Sequence, residues 1–181
     1  SELIASGDAV GIYMEKCADA VAAFFATVYA GGFYSVLNTE LPQNRLQTTV
    51  SVLNPRVIVT SESLLDTAKE YFPEEKIVIF EELAKSEPDY NKLAEIRSHK
   101  IDTDPLYINF TSGSTGTPKG IVVCHRSVID FIDHFTEIFE IDNNDVIANQ
   151  APFDFDVSVK DIYSVVKTGC LLYTSDAADD S

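Results

Sequence analysis

Thr111-Ser-Gly-Ser-Thr-Gly-Thr-Pro-Lys-Gly120 decides how the rest of the chain is read. It sets three glycines among serine and threonine hydroxyls, with a single lysine near its end. Glycines let a backbone turn tightly and bring its N–H groups close to an anion. Hydroxyls add donors and the lysine adds a point charge, so the combination suits a polyphosphate. The pattern differs from G-x-x-x-x-G-K-[ST], whose phosphate loop opens a helix. Gly113 and Gly116 stand three apart, Pro118 precedes Lys119, and Gly120 follows it. An apolar run comes before (Leu106, Tyr107, Ile108, Phe110) and a β-branched run after (Ile121, Val122, Val123). A strand rather than a helix is therefore expected to leave the loop. A solvated Ser/Gly linker has no use for strand-like runs on both sides.

Upstream of the loop, strand and helix patterns alternate. Strands are expected over residues 7–14, where Val10, Ile12 and Met14 alternate, and over 33–37, 56–60 and 77–80. Helices are expected over 17–29, 42–53 and 61–71, the last with Ser61 as its N-cap. The alternation predicts an α/β fold with a mostly parallel sheet flanked by helices. Residues 81–104 are polar without a clear period and read as an irregular connection. Downstream, 127–139 is amphipathic through Val128, Phe131, Ile132, Phe135 and Phe139. A strand over 145–150 and a helix ending near Gly169 follow. Asp130, Asp133 and Glu137 read as a solvated helix face and His125 as a structural residue.

The chain has 181 residues, 45% of them apolar, and a net charge of −16. That length fits one domain. The acidity argues against a nucleic-acid partner or an anionic membrane, since phosphate neutralisation needs clustered Lys and Arg. The longest apolar stretch, 18–34, is interrupted by Asp19 and two adjacent glycines and is too short for a span. No secretory signal is visible. Cys17, Cys124 and Cys170 form neither a disulfide framework nor a metal motif, so a reducing cytoplasm is the simplest compartment.

Tyr107-Ile-Asn-Phe-Thr-Ser-Gly-Ser-Thr-Gly-Thr-Pro-Lys-Gly120 resembles the AMP-binding signature of the adenylate-forming enzymes, nearly unbroken over fourteen positions. Gly7-Asp-Ala-Val-Gly-Ile-Tyr13 and Ala30-Gly-Gly-Phe-Tyr34 are similar to early core motifs of amino-acid adenylation domains, as in nonribosomal peptide synthetases and the D-alanine–carrier protein ligase. Phe155-Asp156-Val157-Ser158 matches their Phe-Asp-x-Ser motif. One departure stands at Ser35-Val36-Leu37-Asn38, where the family usually has Val-Pro-Leu-Asp. The matches cover nearly all of residues 7–169. The resemblance identifies that part as a partial N-terminal adenylation domain, without the family's Tyr-Gly-Pro-Thr-Glu segment, ribose-binding aspartate and C-terminal lysine. Residues 170–181 (Cys170-Leu-Leu-Tyr-Thr-Ser-Asp-Ala-Ala-Asp-Asp-Ser181) break the pattern. They back-translate into a sequence that resembles the transposase adapter of sequencing libraries, so they are expected to be a non-native tail whose removal leaves folding unchanged.

The resemblance implies a chemistry. A carboxylate attacks the α-phosphorus of Mg-ATP, pyrophosphate leaves, and the acyl group passes from the acyl-adenylate to a thiol. The loop residues Thr111, Ser112, Gly113, Ser114, Thr115, Gly116, Thr117 and Lys119 would hold the β- and γ-phosphates, with Lys119 as the catalytic cation. Asp156 would pair with the α-ammonium of an amino-acid substrate, or else cap the following helix. Val157 and Lys160 fall where the family lines its side-chain pocket. Lys160 stands four residues after Asp156, on the same helix face. It reaches a substrate carboxylate, pairs with Asp156, or extends to solvent. The implied partners are an amino acid and a carrier protein with a phosphopantetheine arm. An acyl-CoA synthetase acting on a fatty or aryl acid, and a degenerate nucleotide-binding module, are the alternatives. An acid substrate without an amine would leave Asp156 unpaired.

Overall fold

Successive side chains of a strand point to opposite faces, so an unbroken apolar run buries both when both are covered. In the computed structural model, which describes residues 3–111 and 117–174, the first half of the chain follows this rule. β1 (Ala9–Tyr13), α1 (Ala18–Tyr29), β2 (Phe33–Val36), α2 (Gln43–Leu53) and β3 (Val57–Thr60) lead to a 3₁₀ turn over Glu62–Leu64. α3 (Leu65–Tyr71), β4 (Ile77–Ile79), α4 (Phe80–Leu83) and α5 (Tyr90–Ser98) come next. β5 (Pro105–Thr111), β6 (Lys119–Cys124), α6 (His125–Ile138), β7 (Val146–Asn149), α7 (Val157–Thr168) and β8 (Leu171–Thr174) complete the order. The main sheet runs β4-β3-β1-β2-β5-β6. Its strands pair in parallel except β6, which returns antiparallel to β5. A Tyr34–Tyr107 register pair joins β2 to β5.

Two cores lie on the two faces of the sheet. Val10, Ile12, Val57 and Val59 pack with Phe24, Val128, Ile132 and Ile162. Tyr13 and Ile58, at the intervening positions, pack with Leu46, Val50, Ala68 and Phe72. The first core is tied by an aromatic cluster. Phe24 stacks on Tyr34 with centroids 4.5 Å apart and meets Phe153 edge-on at 5.7 Å. Phe24 is 1% exposed, so Phe24→Ala is expected to cost about 3–5 kcal/mol of folding stability. Urea denaturation measures it, and a loss below about 1 kcal/mol would show that the cluster does not hold α1.

Two expectations are revised. Residues 81–104 are not irregular: they contain α5, and the end of α4 at Leu83. The Asp89 carboxylate caps α5 by accepting from the N–H groups of Asn91 and Lys92, each at 3.1 Å. No residue of α5 is buried, so no apolar period marked it. Ser61 does not cap a helix; its hydroxyl meets that of Ser63 at 2.9 Å. The Glu81 carboxylate takes the Glu62 N–H instead, at 3.1 Å. Residues 170–174, the start of the segment read as a non-native tail, are among the described residues. Gly169 ends α7 in the left-handed region, at φ 75°, and Leu171–Thr174 pair with β7 in parallel. Cys170 is buried and Leu172 packs against the first core.

Candidate functional site

The glycine-rich loop joins β5 to β6. Ser112, Gly113, Ser114, Thr115 and Gly116 lie outside the described residues. On either side of them, Thr111 and Lys119 face each other across the hairpin. Both are exposed, as is Thr117, so a hydroxyl and an ammonium stand at the same end of the ladder. Gly120 pairs with Phe110. A Cβ there would sit 3.0 Å from Ile108 Cγ2 and 3.3 Å from a Phe110 ring carbon, so glycine lets the two strands close behind the loop.

Farther along the hairpin, β5 and β6 form one wall of a cavity of about 430 Å³ that α6 and α7 complete. Tyr107, Val123, Val128, Phe131 and Val157 supply apolar lining, and Asp156 and Lys160 its charges. The start of α7 fixes Asp156 at the rim. Ser158, 1% exposed, donates its hydroxyl to the Pro152 carbonyl at 2.8 Å and folds residues 152–158 back on themselves. Asp156 occupies the N-cap position, but its backbone is already helical (φ −59°, ψ −29°) and its carboxylate makes no capping bond. The capping role weighed from the sequence is therefore not what holds it. Burial, and next the Asp156 charge, push the Tyr107 hydroxyl above the ordinary phenol range.

Lys160 lines the same cavity as Asp156, as the four-residue spacing predicts. Its ammonium turns elsewhere, to the carboxylate of Asp161. It also lies 5.8 Å from the centre of the Phe135 ring. Asp161 accepts a second bond from Asn149 Nδ2 at 2.8 Å. Asp161 is 4% exposed and Asn149 fully buried.

Among the described residues no three His, Cys, Asp or Glu side chains gather as a metal site. His125 lies half-buried at the start of α6, where burial and then Lys100 hold its imidazole below the ordinary range against the opposing Asp104. Asp130, Asp133 and Glu137 are exposed, and Asp133 pairs with Lys167 at 2.7 Å. No helix among the described residues is long and apolar enough to cross a membrane.

Residues 3–181 match the family described as AMP-binding enzyme. The chain belongs to that family. Among curated relatives of this AMP-binding chain, indigoidine synthase of Streptomyces lavendulae is 29% identical over 163 residues, covering 89% of this chain and 13% of its own. Nonribosomal peptide synthetase 13 of Aspergillus fumigatus is 31% identical over 187 residues, covering 99% and 8%. The chain thus spans a small part of the length of these relatives. Among solved structures, a four-domain nonribosomal peptide synthetase bound to AMP and glycine shares the fold. Its TM-score is 0.77 at 23% identity, over 94% of this chain and 12% of that one. The fold is that of the adenylate-forming enzymes, with the parallel sheet expected from the alternation. Sequence reasoning missed Asp161 and Asn149. Adjacent helix positions point apart, so nothing in the spacing of Lys160 and Asp161 announced a pair. Asn149 closes β7, separated from Asp161 by the whole turn into α7.

Proposed function

We propose that the protein activates an amino acid with ATP. In this reading the substrate carboxylate oxygen bonds to the α-phosphorus, and the bond from that phosphorus to the bridging oxygen breaks. Pyrophosphate leaves. A carrier-protein phosphopantetheine thiol then takes the acyl group, and AMP departs. The observation that carries the reading is Asp156: a carboxylate with no capping bond, at the rim of an apolar cavity. A substrate ammonium gives such a group both charge and donors. Thr111, Thr117 and Lys119 fit the phosphate end, because their hydroxyls and ammonium are donors gathered where the hairpin closes. Ser112 to Gly116 are assigned to the same role. Lys119 is assigned the charge that builds on the phosphate oxygens during transfer. Magnesium enters with the triphosphate, as that ion usually does, held mostly by phosphates and water. The relatives named above are consistent with an amino acid rather than a fatty or aryl acid.

The test is substrate-dependent ATP–pyrophosphate exchange by the full-length protein that carries this chain. Exchange with at least one amino acid, and none with fatty or aryl acids, is expected. Exchange with a fatty or aryl acid alone would sink the role given to Asp156.

A further inference from the structure

Lys160 is the one basic side chain among the described residues lining the cavity, and Asp156 the one acid. The lysine's charge is already matched. Its Nζ donates to Asp161, and Asn149 fixes the other oxygen of that carboxylate at 2.8 Å. With Asp161 4% exposed and Asn149 fully buried, the acceptor has no room to follow the ammonium outward. Building on the amino-acid reading of the site, we propose that Asp161 sets side-chain specificity by keeping Lys160 neutralised. The cavity then takes an amino acid with an uncharged side chain and turns away aspartate and glutamate.

The argument is one of competition for a single cation. An acidic side chain entering the cavity must draw the ammonium off Asp161, which leaves a buried carboxylate without its partner. An uncharged side chain leaves the pair intact and lies against Val128, Phe131 and the methylene stem of Lys160. Asp161 touches no substrate in this arrangement. It is a positioning residue that acts through Lys160.

The experiment compares the full-length protein with Asp161→Asn and with the double variant Lys160→Met/Asp161→Asn. Asparagine keeps the volume and an acceptor for Asn149 while removing the charge that holds Lys160. Exchange kinetics are measured with alanine, glutamine, aspartate and glutamate, amino-acid binding by calorimetry, and folding by thermal melting. The original protein is expected to prefer uncharged amino acids. Asp161→Asn should raise the acidic-to-uncharged ratio of kcat/KM by about tenfold or more, as the freed, partly buried ammonium finds a new partner in an acidic substrate. The double variant should return the ratio to its starting value. A preference of the original protein for acidic amino acids overturns the proposal. So does an unchanged ratio in Asp161→Asn, or a gain that persists in the double variant. If the single variant does not fold, the double variant, which has neither charge, decides. A ratio within about threefold of the original supports the proposal, and a change of about tenfold overturns it. Activity on fatty or aryl acids with no amino-acid signal overturns the amino-acid reading itself, and the absence of any ratio tells that failure apart.

Discussion

Asp156→Ala in the full-length protein is expected to lower kcat/KM for the proposed amino-acid-dependent ATP–pyrophosphate exchange by about 100-fold, the scale of removing a charged hydrogen-bond partner from a substrate group. The loss should fall on substrates with an α-amine and largely spare the corresponding des-amino acids. Folding should be little affected, because the carboxylate makes no capping bond and is exposed. A spectroscopic companion is available at Tyr107. Burial and then the Asp156 charge hold its hydroxyl above the ordinary range. With the charge removed, Tyr107 should ionise at a lower pH, yet still above an ordinary phenol, because burial remains. Equal losses with amino acids and des-amino acids would remove the ammonium from the argument.

Lys119→Ala is expected to reduce the same exchange by about tenfold or more, as for loss of a cation aimed at transferring phosphate. The decrease should appear in kcat as well as kcat/KM if the charge matters more in the transition state than in the bound substrate. Lys119→Arg should recover part of it, since the charge persists but as a broad planar group. Unchanged exchange in the alanine variant would take the loop out of the mechanism.

β1 and β3 were legible because each buries both faces. β1 is buried at all five positions, and an apolar run of that kind has few other readings. The hairpin around the loop was legible for another reason: the apolar runs flanking it could not belong to a linker. α5 was hidden, because a helix with no fully buried residue leaves a weak apolar stripe and its strongest signal is the cap at Asp89. At the cavity the sequence located Asp156 and Lys160 on one face. It could not give the direction of the ammonium. That direction depends on Asn149, which reaches Asp161 only after the chain has turned from β7 into α7. Side-chain partners of this sort are set by tertiary contact and carry no local period.

The Tyr34–Tyr107 junction has a kinetic meaning. Closing a chain loop becomes harder as it lengthens, and contacts distant in sequence form late. β2 follows β1 across a single helix, and β3 follows β2 in the same way. β5 reaches β2 only after β3, β4 and the polar helices have been spanned. During synthesis the parallel unit is complete before the hairpin is made. The cavity, walled by that hairpin and by α6 and α7, is therefore expected to form late, with only the pairing of β8 to β7 drawing on chain made after it.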